Sequence, residues 1–207
     1  MHILGMDIDS TIWDSTLFYH DALEDMGYPR LSHEDFISWD YHFDRFPREV
    51  VLEMFRRALD PSRLDERPLY PHVVEAIRTL REDVGVQIHF ITHNAEPDAL
   101  RTPLKKWLAG RFGGDVGLST FHLKTPKLRK LNQLGAFGMV DDKPAFAVEV
   151  ADAGLWSASK VHPYNKDVVL KDDRIFAFND WREVPYAVAL AIEGRAIQQL
   201  QTIGGRT

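Results

Sequence analysis

The first apolar run of the chain ends in Asp7-Ile8-Asp9-Ser10-Thr11, two carboxylates two residues apart with hydroxyls directly behind them. Three later positions have the same setting. Thr92 ends the run Val86 to Ile91, Lys124 follows a weaker apolar stretch, and Asp141-Asp142 end the run Phe137 to Val140. If the runs are strands of one sheet, all four groups meet at one edge. Carboxylates buried together repel one another, and their protonated forms gain. A divalent cation removes that conflict. Hard oxygen ligands suit Mg²⁺, which keeps several waters and takes one or two carboxylates plus substrate phosphate. Asp7 at the strand end can attack phosphorus and form an aspartyl-phosphate. Asp9 can protonate the leaving oxygen and later activate water. Thr92 and Lys124 can hold the phosphoryl oxygens where charge gathers.

Each group alone has an ordinary explanation. D-x-D can be a solvated strand end, Thr92 a strand or cap residue, and Lys124 a surface lysine. Asp141-Asp142 ahead of Pro144 could open a helix, because acids favour helix N-termini. The order of all four carries the chemical reading. Lys127 is a rival to Lys124. Lys124 is preferred because Thr125-Pro126 reads as N-cap and first helical residue, which leaves Lys124 at the lip of the sheet. Lys127 would then point outward from the first helical turn.

The elements that must position these groups alternate. Short apolar runs at Ile3 to Ile8, Val86 to Ile91, Val116 to Phe121, Ala136 to Val140, Leu155 and Ile175 to Phe178 read as strands. Helical patterns lie between them: Pro97 to Leu108 closed by Gly110, Pro126 to Leu134 closed by Gly135, Pro144 to Ala153, and a last helix from Pro185 to Leu200. This is an α/β pattern with a Rossmann-like, three-layer parallel sheet. Before the second strand the pattern is helical throughout: Ser15 to Met26, a capping pair at Ser32 and Asp35, Pro47 to Leu59, and a helix from Pro71. Residues 15–70 are therefore expected to form a small helical cap inserted after the first strand, over a core of residues 1–14 and 71–207. Ligands of open α/β sheets sit beyond the carboxyl ends of the strands, which puts such a cap over the site.

Bulk properties exclude several classes. The 207 residues are 44% hydrophobic and 27% charged, with no cysteine. Disulfides and thiolate metal sites are excluded, and a cytoplasmic setting fits. No stretch approaches the ~20 apolar residues of a membrane span, and the first residues lack the features of a signal peptide. A net charge of −6 argues against long nucleic acid as a partner, although local cations can still draw in a small anion.

The ordered set resembles the haloacid dehalogenase superfamily of phosphatases. Its motifs stand here as GMDIDST, IHFITHN, a lysine within HLKTPKLRKL, and GMVDD. The resemblance implies that Asp7 is nucleophile and metal ligand. It makes Asp9 general acid and base, with its backbone carbonyl also on the metal. Thr92 and Lys124 would hold the phosphoryl group, and Asp141 or Asp142 would complete a Mg²⁺ site. Ser10 stands where that family commonly has glycine. The segments LSHEDFISWDYHF, PREVV, LYPHVVEAIRTL, VHPYNKDV and NDWREV further resemble 5'(3')-deoxyribonucleotidase-like proteins. That implies a small phosphorylated substrate, a nucleoside monophosphate. The 15–70 region and its approach are rich in aromatic residues, and Trp13, Trp39, Tyr41 and Phe43 are candidates to stack on a base. Competing readings are a phosphatase of nucleic-acid ends, a dehalogenase, and a non-catalytic phosphate binder.

Overall fold

The computed structural model describes residues 1–32, 35–94, 97–122 and 125–204, with residues 195–204 as backbone only. A six-stranded sheet runs through it in the order β3-β2-β1-β4-β5-β6, with every pairing parallel. The strands are β1 (His2–Met6), β2 (Val86–His93), β3 (Gly117–Phe121), β4 (Gly138–Val140), β5 (Trp156–Lys160) and β6 (Ile175–Phe178). Helices cover both faces, giving the expected Rossmann-like α/β fold. The central strand β4 is buried along its whole length, as its unbroken apolar composition requires in a doubly covered sheet.

Helices α1 (Ser15–Asp25), α2 (Tyr41–Arg45) and α3 (Arg48–Ala58) and a 3-10 turn (Pro61–Glu66) follow β1, and α4 (Val73–Glu82) leads into β2. Two isolated bridges, Asp9 to Trp13 and Trp13 to Leu69, are the only extended pairings among the described residues between β1 and β2. α1 starts because the Asp14 side chain accepts from Thr16 N–H, a cap worth ~1 kcal/mol. It packs against α3 through an apolar layer that includes Leu23, Val51 and Met54 and is continuous with the core over the sheet.

The remaining helices are α5 (Pro97–Phe112), α6 (Lys127–Leu134), α7 (Pro144–Asp152), α8 (Lys166–Val169) and α9 (Val184–Gly204). α5 does not close at Gly110. It continues to Phe112 and ends at Gly113, whose φ of 73° suits a terminator. An internal glycine costs only about 1 kcal/mol, and the buried face of Leu100, Leu104, Trp107 and Leu108 outweighs it. α6 begins one residue later than expected, with Pro126 as cap and Lys127 as the first helical residue, and it ends at left-handed Gly135. Its Leu131 lies so close to β1 that a Cβ on Gly5 would come within 2.5 Å of the leucine. Glycine at position 5 is what lets α6 settle onto the sheet.

Ser32 N–H and Oγ both donate to the Asp35 carboxylate, the expected capping contact, although His33 and Glu34 lie outside the described residues. So do residues 205–207 of the tail. No helix among the described residues is long and apolar enough to cross a membrane.

Candidate active site

β1 and β4 lie side by side with Met6 opposite Val140. The chain leaves both strands at the same level, so the next residues, Asp7 and Asp141, emerge as neighbours. The backbone fixes them there: Asp7 N–H donates to Val140 O at 2.9 Å, and Asp141 N–H to Ala158 O at 3.0 Å. Strand order reverses at this point, with β2 and β3 beyond β1 and β5 and β6 beyond β4. Such a reversal opens a crevice at the carboxyl ends of the strands.

Asp7, Asp141 and Asp142 are all buried, and each offers a carboxylate oxygen within 4.8 Å of the others. Lys127 joins them from the first turn of α6. Its Nζ lies 2.7 Å from Asp7 Oδ1 and 2.8 Å from Asp141 Oδ2. The expectation that Lys127 points outward is therefore wrong. α6 starts a residue late, and Leu131 seats it against Gly5, so its first turn overhangs the sheet end and the long side chain reaches inward. Lys124, the preferred lysine, lies outside the described residues.

Burial pushes the Asp7 carboxyl well above the usual range. Lys127 opposes that, and Asp141, Asp142 and Asp9 add to it. Burial and Asp141 likewise hold Asp142 up at about 7. Burial alone would lower Lys127, but Asp141 and Asp7 outweigh it and keep the ammonium charged. Three carboxylates against one ammonium leave two negative charges uncompensated, the charge of one divalent cation. Asp7 Oδ1 meets the Lys127 ammonium, so a cation at this site would share the Asp7 carboxylate with that lysine. The residues thus fit a hard divalent metal with oxygen ligands.

Asp142 is fastened from three directions. Thr11 Oγ1 donates to its Oδ1 at 3.1 Å, Tyr164 OH to its Oδ2 at 2.6 Å, and Asn165 Nδ2 to its carbonyl at 2.8 Å. The same segment holds the turn after Asp9, where His162 Nε2 is 2.8 Å from the Ser10 carbonyl. Ser10 itself adopts φ 56°, the left-handed region that favours glycine. This accounts for glycine being usual there in the family the motif resembles. The sequence flagged His162-Pro163-Tyr164-Asn165 only as a pattern.

The Asp9 carboxylate is held by partners outside the triad. Oδ1 accepts from Trp13 Nε1 at 2.9 Å and Oδ2 from Thr92 Oγ1 at 3.4 Å, while Arg67 Nη1 stands 3.7 Å from Oδ1. β2 runs on through His93, so Thr92 lies inside the strand rather than beyond it. Nothing local in the sequence marked Arg67.

All these acids face one cavity of about 430 Å³. Asp7, Asp9, Thr92, Lys127, Asp141 and Asp142 form a polar part of its lining, and the helical segment after β1 adds an aromatic wall of Tyr19, Phe36, Trp39, Phe43 and Phe55, with Arg56 and Asp60 also on the lining. Of the four candidates to stack on a base, Trp39 and Phe43 line the cavity and are 42% and 46% exposed. Trp13 and Tyr41 do not: Trp13 is fully buried, covered by Arg67 and edge-on to Phe18, and Tyr41 packs among Phe36 and His42. Trp39 also reaches the other half of the molecule, edge-on to Tyr164 with ring centres 5.6 Å apart.

No protein-family model matches this sequence, and no curated protein does either. Solved structures do match in fold. A hydrolase of the haloacid dehalogenase superfamily, subfamily IA variant 1, from Geobacter sulfurreducens superposes with a TM-score of 0.52 at 18% identity, over 89% of this chain and 94% of that one. The D,D-heptose 1,7-bisphosphate phosphatase of B. bronchiseptica, solved with magnesium and phosphate, gives 0.52 at 12% identity over 91% and 98%. A 2-haloacid dehalogenase from Pseudomonas syringae gives 0.50 at 14% identity over 91% and 98%. The fold is that of haloacid dehalogenase superfamily hydrolases, which include both phosphatases and dehalogenases. At these identities the likeness is one of fold.

Proposed function

We propose that this protein is a Mg²⁺-dependent phosphomonoester hydrolase working through an aspartyl-phosphate on Asp7, with a nucleoside monophosphate as its preferred substrate. The carrying observation is the polar part of the cavity lining: Asp7 between Lys127 and the Asp141-Asp142 pair, with Asp9 and Thr92 across from it. Asp7, Asp141, Asp142 and the Asp9 carbonyl would hold the cation. When bound, Mg²⁺ would neutralise the buried carboxylates and the phosphate that approaches them.

The chain's own groups then have distinct tasks. Asp7 attacks phosphorus. Asp9 gives its proton to the leaving oxygen, then takes one from the water that releases phosphate. Lys127 and Thr92 hold the phosphoryl oxygens. In this reading Lys127 takes the role first given to Lys124, because its ammonium already stands beside the nucleophile. Residues 15–70 act as a cap over a core of 1–14 and 71–207. The aromatic wall supports a planar leaving group, with Trp39 or Phe43 against the base.

Dehalogenases share the fold, but a departing halide needs no proton. An acid two residues after the nucleophile therefore favours phosphate esters. The test is phosphate release from a panel of nucleotides, sugar phosphates and an aryl phosphate, with Mg²⁺ and with chelator. Turnover of 2-haloacids and none of the phosphate esters, or full activity in excess chelator, would overturn the reading.

A further inference from the structure

Arg67 lies on the segment that returns from the 3-10 turn to α4, and it is only 3% exposed. A guanidinium at that depth is costly unless its N–H groups are satisfied. Its Nε and Nη2 have no hydrogen-bond partner among the described residues. Its guanidinium lies over the face of Trp13, with Cζ 4.5 Å from the ring centre, and beside Asp9, with Nη1 3.7 Å from Oδ1. The indole N–H of that same Trp13 donates to that same Oδ1 at 2.9 Å. One oxygen of Asp9 is thus gripped by a stacked Arg-Trp pair, while the other faces Thr92 Oγ1. Asp9 lines the cavity, and Arg67 is not among the described residues that do.

We propose that Arg67 is a positioning residue for the general acid: with Trp13 it pins Asp9 Oδ1, so that Oδ2 is presented to the leaving group. This rests on the phosphatase reading above. In the first step an Asp7 oxygen bonds to phosphorus while the ester P–O bond breaks toward the leaving oxygen. The proton on Asp9 Oδ2 passes to that oxygen, and Asp9 becomes a carboxylate beside Arg67. In the second step Asp9 Oδ2 takes a proton from water as the water oxygen bonds to phosphorus and the Asp7–P bond breaks. A buried cation with unsatisfied nitrogens is a poor stabilising device. Its place against both Trp13 and Asp9 fits a task in orienting Asp9.

The test is Arg67→Met and Trp13→Phe, the latter keeping the ring and losing the N–H. The single-turnover rate of Asp7 phosphorylation is measured in Mg²⁺ for esters from 4-nitrophenyl to alkyl phosphate. A 4-nitrophenolate leaves without a proton, whereas an alkoxide does not. The expected result is a loss that deepens as the leaving group becomes more basic, by about 10²-fold across the series, the scale of general acid catalysis. The melting temperature of Arg67→Met should not fall below that of the parent, and Arg67→Lys should recover part of the loss. Equal losses on every ester, or a lowered melting temperature with equal losses, would assign Arg67 to structure and overturn the inference. If Arg67→Met does not fold, the leaving-group profiles of Trp13→Phe and Arg67→Lys decide. A parent protein inactive on every ester would instead sink the phosphatase reading itself, a result separable from any behaviour of the variants.

Discussion

Lys127 Nζ stands 2.7 Å from Asp7 Oδ1, a contact between the first turn of α6 and the end of β1. Under the proposed mechanism Lys127 is the lysine whose loss should matter. Lys127→Met should lower kcat/KM by about 10²-fold or more, the effect of removing a donor aimed at developing charge. Lys124→Met should stay within a few-fold of the parent. Steady-state kinetics on one phosphate ester compares them directly, and the reverse ranking would return the role to Lys124.

The two acids of the first motif should separate by the step each one blocks. Asp7→Asn should abolish turnover and any covalent capture of radiolabelled phosphate, because an amide is a poor nucleophile. Asp9→Asn should slow turnover by about 10²–10⁴-fold through lost proton transfer and still bind substrate. Acid-quench trapping of phosphoenzyme distinguishes them. Near-parent rates in Asp7→Asn would mean that the nucleophile lies elsewhere.

Metal binding should depend on pH in a definite direction. Burial and neighbouring acids raise Asp7, and they hold Asp142 at about 7 against 3.8 for a free aspartate. A carboxyl raised in the folded state contributes stability that is complete below the unfolded value and is lost as pH rises through the folded one. In chelator that contribution fades toward pH 7. Mg²⁺ takes the place of those protons, so the stabilisation it adds should grow from pH 5 to pH 8. His42 and His89, both lowered to about 4, shift stability the opposite way, but equally with and without metal. The measurement is the melting-temperature difference between Mg²⁺ and chelator at several pH values. A difference that shrinks with pH would contradict the assigned ligands.

The aromatic wall should govern which ester is chosen. Trp39→Ala and Phe43→Ala remove rings that line the cavity and are partly exposed. Lost base stacking of ~1–3 kcal/mol should raise KM for a nucleoside monophosphate and spare a small aryl phosphate. Trp13→Ala should instead lower stability and harm every substrate, because that ring is fully buried. Parallel kinetics on the two esters checks this. Equal losses in both wall variants would leave a phosphatase without a base pocket.

Most of the sheet was legible because β1, β2, β4 and β6 fall in short apolar runs, and the polar residues at the ends of the first three stood out, whereas β5 (Trp156–Lys160) has two serines and a lysine in five residues. Asp7, Thr92 and Asp141 could be placed in this way, since strand register does the rest. Lys127 was misjudged because helix starts shift by a residue, and one residue of helix turns a side chain through about 100°. Gly5 and Leu131, which set how closely α6 approaches, act through space and leave no local signal. Arg67 was hidden for a similar reason. In sequence it is one of many arginines, and only the fold stacks it on Trp13. The aromatic candidates were sorted only by packing, which drew Trp13 and Tyr41 inward and left Trp39 and Phe43 at the cavity.

The fastening of Asp142 by Tyr164 and Asn165, and of the Ser10 turn by His162, bears on how the protein is made. A ribosome translates every acid of the cluster before it reaches any of these three residues. A nascent chain stopped just after β4 carries the full set of carboxylates, but nothing from the later segment to space them. The seat of Asp142 is therefore completed late, when β5 and the residues behind it dock. For the same reason, a chimera that transplants residues 1–142 onto another carrier would inherit the acids with Asp142 lacking its Tyr164 and Asn165 partners. It would need the 162–165 segment as well to rebuild the site.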